Sequence, residues 1–298
     1  MDAAAAASTT APRAGWRRTG VAPWLGLLPF LLYVTIFLVW PTLSVVAGAF
    51  RSEDGGFTFE RIRALTDDTA VHALKQSLYL SFSSAAIGAV LGALLAYLIV
   101  TAPPTSILRR TVTAVCGVLA QFGGVTLAFA WLATLGFNGL LTNFLADVFG
   151  MSDAGSSWLY ELPGLILVYT YFQIPLMVIV FLPALEGLRP QWREAAVNLG
   201  ATTFQYWTRV ALPLLRPAFL GSALLLFANA FAAYATAAAL ISQGSFITPL
   251  LIRSALTSEV VLGQKDFAYA LALEMVVVVG IVMALYAWLL RRTSRWLS

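Results

Sequence analysis

Residues 267–290 read F-A-Y-A-L-A-L-E-M-V-V-V-V-G-I-V-M-A-L-Y-A-W-L-L, a run whose one charged side chain is Glu274. About 20 apolar residues in a helix cross the hydrocarbon layer of a bilayer. Five more runs of this kind lie at 21–50, 77–101, 111–135, 162–185 and 218–241. In lipid a backbone must pair its own N–H and C=O groups, so runs of this length are read as helices. The expectation is an all-α polytopic membrane protein with six transmembrane helices. Composition agrees: 60% of residues are hydrophobic and 11% charged, with a mean hydropathy of +0.83, whereas soluble domains are about half apolar and a quarter charged.

Six crossings place both ends of the chain on one side. The tail 1–20, expected to be mobile, the turn at Pro103, the loop around Glu194 and the C-terminal end together carry twelve of the eighteen Lys and Arg residues. By the positive-inside rule these faces are cytoplasmic. The net charge of +4 is thereby an orientation signal, and no nucleic-acid partner is expected. Ala47-Gly48-Ala49 resembles a signal cleavage site, but the run before it is nearly double a signal core of about 7–15 residues, so 21–50 is read as an uncleaved first transmembrane helix. The single cysteine, Cys116, allows no intrachain disulfide. The single histidine, His72, falls in a loop, which leaves no metal cluster and no hydrolase constellation within the spans.

One segment between two apolar runs is unlike the rest. From Leu188 to Pro217 it carries Arg189, Arg193, Glu194, Arg209 and Arg216. It reads as two short amphipathic helices joined by a turn. Pro190 suits a first helical position, where its missing N–H costs nothing, and Gly200 suits the left-handed residue that stops a helix. Thr202 with Gln205 forms a capping box that restarts the helix, and Pro213 is expected to close it.

Glu194-Ala195-Ala196, then Gly200, then Val210-x-Leu212-Pro213, resembles the EAA loop of binding-protein-dependent ABC importer permeases, the type-1 transmembrane domain family. The resemblance covers roughly 73–292, with a cytoplasmic coupling loop at 188–213. It implies a type I ABC importer (MetI-like) permease fold in a bacterial inner membrane. It also implies that the loop docks on a separate ATPase, with Arg193, Glu194, Ala195, Ala196, Asn198 and Gly200 as docking residues. Asn198 stands where many family members have Asp, and Val210 replaces a common Ile. The implied partners are two cytoplasmic ATP-binding subunits, a second permease, expected to be a homologous heterodimer partner, and an extracytoplasmic solute-binding protein. The chain itself needs no cofactor: ATP and Mg belong to the partner ATPase, since neither Lys75 nor Lys265 follows the glycine that a phosphate-binding loop requires. The stretch from Phe227 to Leu240, with Phe246-Ile247-x-Pro249, resembles the branch serving polyamines, ferric iron or phosphonates more than the sugar branch. An ion-gradient-driven secondary transporter is the alternative of a different class; it would show inverted repeats, and none is evident.

Within the spans, Gly88, Gly92 and Ala96 form a small-residue stripe for close helix packing, and Pro175 and Pro183 are expected to kink the fourth span. The run from Leu140 to Phe149 is expected as a helix along the membrane interface, and Trp16, Trp24, Trp40, Trp158 and Trp288 as interfacial anchors. Polar residues at membrane depth are the candidates for a substrate pathway. Ser222, Asn229, Thr236 and Gln243 recur every seven residues, which would place them on one helical face. They either line a path or bond neighbouring helices. Glu274 either neutralises a cationic substrate or pairs with Arg253 or Lys265. Gln121, Gln173 and Tyr169 are further candidates, open to the same two readings.

Overall fold

The computed structural model describes residues 22–51, 56–103, 105–149, 157–241, 247–257 and 264–294. The chain divides into two compact units, Met1–Val45 and Val46–Ser298. The first apolar run forms α1 (Ala22–Val34), a π-helical turn (Thr35–Val39) and α2 (Trp40–Ala49). Pro41 follows that turn by two residues. In a regular helix its ring would clash with the carbonyl four residues back; here the Trp40 amide reaches the Thr35 carbonyl, and the wider turn makes room.

The second unit continues with α3 (Glu60–Arg63), α4 (Asp68–Thr101), α5 (Ile107–Gln121), α6 (Gly124–Leu135), α7 (Leu140–Phe149) and α8 (Leu162–Glu186). Then come α9 (Pro190–Asn198), α10 (Thr203–Tyr206), a second π-helical turn (Trp207–Ala211), α11 (Leu212–Ala232), α12 (Ala235–Leu240), α13 (Thr248–Thr257) and α14 (Gln264–Ser294). Among the described residues six helical stretches are long and apolar enough to cross a membrane: Gly26–Ala49, Asp68–Thr101, Gly124–Val148, Leu162–Glu186, Thr203–Ala232 and Asp266–Leu289.

The axis of the second unit is α8. It is apolar around its whole circumference, is the most buried of the six stretches, and runs unbroken through Pro175 and Pro183. Two core clusters meet along it. One joins Leu165, Tyr169 and Phe172 to Leu127 of α6 and Leu240 of α12. The other joins Met177, Val178 and Phe181 to Ala85, Ala89 and Ala96 of α4 and Leu226 of α11. The small-residue stripe of α4 lets it approach this axis: a Cβ on Gly88 would stand 2.5 Å from the Gln173 Cβ, and one on Gly92 would stand 2.5 Å from the Met177 Cβ and 2.6 Å from the Ile174 carbonyl oxygen.

A polar knot closes one end of this unit. Arg61 lies 2.6 Å from an Asp266 carboxylate oxygen, donates to the Gly48 carbonyl and stands over the Tyr269 ring. It thereby ties the end of α2 and the short α3 to α14.

Three expectations are corrected. The stretch able to cross third is Gly124–Val148 rather than 111–135, because Gly123 is extended and Gly124 takes φ 71°, which ends α5 as a separate helix. The expected α7 forms over Leu140–Phe149, within that same stretch. Pro213 does not close a short helix. The π-helical turn before it absorbs its ring as the first one absorbs Pro41, and the helix restarted at Thr203 runs on to Ala232. Finally, the first loop is shorter than expected, since α4 begins at Asp68.

The α4 packing predicts that Gly92→Ala destabilises the protein by about 1–3 kcal/mol through overpacking. Gly117→Ala, where nothing lies within 4 Å of the added Cβ, is expected to be silent. Thermal unfolding midpoints in detergent, followed by tryptophan fluorescence, check the contrast.

Candidate functional site

The charged loop forms a helix–turn–helix whose parts are all locally specified. Arg189 is extended and Pro190 opens α9. The helix stops at Gly200, φ 78°, whose amide bonds the Val197 carbonyl while the Ala201 amide bonds the Ala196 carbonyl, both at 2.9 Å. This pair of returns is the Schellman arrangement, which a glycine makes without steric cost. Thr202 then caps the next helix: its hydroxyl accepts from the Gln205 amide at 3.2 Å, and the Gln205 side chain accepts from the Thr202 amide at 2.9 Å. The unit is therefore one short helix leading into the start of a long one, not two short helices.

Both ends of the loop are held. Glu186, the last residue of α8, forms an ion pair with Arg109 of α5, and Leu188 packs on the second core cluster. Beyond the turn, Trp207 meets Tyr97 of α4 edge to face, with ring centroids 5.1 Å apart. Between these anchors Arg193, Glu194, Ala195, Asn198 and Gly200 are exposed and Ala196 is half-buried. Three large apolar side chains, Val197, Leu199 and Phe204, stand beside them, with Leu199 88% and Phe204 77% exposed. They were not singled out in the sequence. Their signal was there: three large apolar residues crowd the Gly200 turn of an otherwise polar, charged segment.

A second constellation lies where two helices are interrupted. The α5–α6 break exposes the Gly124 amide, which donates to Thr236 Oγ1 at 2.9 Å. The α11–α12 break, at Ala233 and Tyr234, exposes the Ala233 carbonyl, which accepts from the Tyr169 hydroxyl at 2.6 Å. Non-helical backbone is tolerated at membrane depth where protein or a watery cavity covers it. Gln173, fully buried, donates to the Leu226 carbonyl at 2.9 Å and leaves its Oε1 unpartnered. Gln121, Asn229 and Tyr234 are exposed near these breaks.

The seven-residue spacing in the fifth span does not make one face. Ser222 is buried and bonds the Ala218 carbonyl, Asn229 is exposed, and Thr236 lies beyond the break, which resets the helical phase. Gln243 lies outside the described residues. Glu274 is half-buried and its Oε1 has no hydrogen-bond partner; among the described residues it makes no ion pair, so Arg253 does not satisfy it. Lys265 lies at the start of α14, and its side chain is outside the description. No group of three or more His, Cys, Asp or Glu residues suited to a metal occurs among the described residues.

The profile of the binding-protein-dependent transport system inner membrane component family matches residues 121–295. The chain belongs to this family. Relatives of this family member include the ferric transport system permease protein FbpB of Actinobacillus pleuropneumoniae, 28% identical over 226 residues, 74% of this chain and 31% of that protein. The sulfate transport system permease protein CysT of Salmonella typhimurium is 26% identical over 268 residues, 88% of this chain and 90% of the relative. The chain thus spans about a third of the ferric relative's length but nearly all of the sulfate relative's. Among solved structures, a chain of a bacterial ABC transporter involved in the import of the acidic polysaccharide alginate has the same fold, with a TM-score of 0.66 at 19% identity over 92% of this chain and 95% of that one.

Thr236→Val is expected to leave the Gly124 amide unpaired and to cost about 1–3 kcal/mol, the penalty of an orphaned buried donor. Thr236→Ser keeps the acceptor and is expected to keep stability. Thermal midpoints in detergent separate the two.

Proposed function

We propose that this chain is the membrane-spanning permease subunit of an ATP-driven ABC importer in a bacterial inner membrane, forming half of the translocation path for a small charged solute. The observation that carries the reading is the exposed helix–turn–helix at α9. It is anchored at both ends and presents Glu194, Ala195, Ala196 and Asn198 beside three uncovered apolar side chains. A structured loop with this much exposed apolar surface is a protein-docking element. Arg193 and Glu194 supply polar contacts to an ATPase subunit, Ala195 and Ala196 the close-packing face, and Gly200 the turn.

The charge asymmetry supports cytoplasmic termini and a cytoplasmic α9, on the side where ATP is found. The family's description as a binding-protein-dependent system supports an extracytoplasmic solute-binding partner. Two ATP-binding subunits carrying ATP and Mg, and a second, homologous permease subunit, complete the assembly. The domain that does this is 73–292, and the first helix lies outside it. The substrate path runs past the helix breaks, where Tyr169, Gln173 and Thr236 hold the interrupted backbone in place and Gln121 and Asn229 are open to solute. Ser222 and Glu274 are the remaining polar groups of the path. The ferric, sulfate and spermidine/putrescine transport permeases among the relatives support a small charged solute over a sugar.

Gly200→Val is expected to abolish ATP-driven uptake while the protein still inserts, because a branched side chain is strained at φ 78°. Glu194→Ala should reduce the ATPase that co-purifies. Wild-type uptake and wild-type recovery in both variants would overturn the docking role. A third check is the Arg109–Glu186 tie: Arg109→Glu and Glu186→Arg should each lower uptake severalfold, and the double reversal should restore it if the pair holds the loop.

A further inference from the structure

A cleft of about 390 Å³ opens against the α11–α12 break, within the range of about 300–1,000 Å³ usual for small-molecule sites. Its walls include Tyr234, Pro249, Ile252, Arg253, Thr257 and Met275. Among the described residues Arg253 is the one charged residue lining it, and none of the lining residues is a carboxylate. The guanidinium makes no ion pair among the described residues. Asp266, on the neighbouring α14, is committed to Arg61 at 2.6 Å. The Ala233 carbonyl, between the lining residues Ala232 and Tyr234, is taken by the Tyr169 hydroxyl.

We propose that this cleft binds a small tetrahedral oxyanion through Arg253. On the importer reading above, the solute carried is therefore an anion rather than a polyamine or a free metal cation. Arg presents a planar fork of donors that matches an oxyanion bidentately. Low-dielectric walls around a single cation focus its field on whatever enters. The Tyr234 hydroxyl belongs to the same lining and supplies a neutral donor, while the Thr257 hydroxyl is committed to the Arg253 carbonyl at 2.9 Å. A polyamine would need carboxylates or an aromatic cage here; among the described residues the walls hold one aromatic residue and no acid.

The test is arginine modification. The intact complex, purified with its partner subunits, is placed in nanodiscs of purely zwitterionic lipid and treated with phenylglyoxal, and the rate of adduct formation at Arg253 is read by peptide mass spectrometry. The exposed Arg51 serves as reference. Sulfate, phosphate, molybdate and methylphosphonate are added singly, with spermidine as the cationic arm. At least one oxyanion is expected to slow modification of Arg253 about tenfold when it stands at about ten times its Kd, with Arg51 unchanged and spermidine without effect. Equal rates with and without every oxyanion, protection by spermidine, or an Arg253 that never reacts would each overturn the proposal. A parallel set of nanodiscs containing phosphatidylglycerol identifies the source of the phosphate chemistry. Protection by that lipid alone, with no free oxyanion effective, assigns the site to a headgroup and also overturns it. Absence of ATP-driven uptake with protection intact would overturn the importer reading and leave the anion site standing.

Discussion

The core of the second unit depends on one requirement, that a backbone interrupted between packed helices still has its polar groups bonded. The chain breaks its helices just before Gly124 and just after Ala232 and answers each break with a side chain from another element. Thr236, just past one break, accepts the amide freed at the other. Tyr169 of the central helix donates to the carbonyl freed at Ala233. Each interruption is thus held by a residue far away in sequence, and the two breaks form a single unit.

The central helix α8 links this unit to the loop that carries α9. Its middle carries Tyr169 and Gln173, which reach toward the breaks. Its last residue, Glu186, is tied to Arg109 four residues before α9 begins. The close approach of α4, allowed by Gly88 and Gly92, clamps α8 along its length. On the function proposed above, a displacement at α9 passes into α8, whose other end lies among the broken segments. Uncovered Val197, Leu199 and Phe204 mark the face through which such a displacement would enter.

The spans were legible because length and apolarity alone decide them, and the loop was legible because its chemistry is local. Pro190 starts a helix, Gly200 ends it, and Thr202 with Gln205 starts the next, each within a few residues. The breaks were not legible. Gly124 is held by Thr236, 112 residues away, and no window of the sequence contains both. The seven-residue spacing of Ser222, Asn229 and Thr236 assumed an unbroken helix, and the break at Ala233 dissolves the face it implied. Pro213 misled for a related reason: a proline ends a helix unless the turn before it widens, and that widening leaves no mark in composition.

The two widened turns, Thr35–Val39 and Trp207–Ala211, each stand two residues ahead of a proline. A π-helical turn carries one residue more than regular winding needs, and one residue advances a helix by about 100°. Side chains before Trp207 and after Leu212 consequently belong to different azimuthal registers of what is otherwise a single rod. Trp207 meets Tyr97 near the loop and packs on the same core cluster as Leu215 and Leu226 deeper along the rod, so the rod keeps one side turned inward across the widened turn.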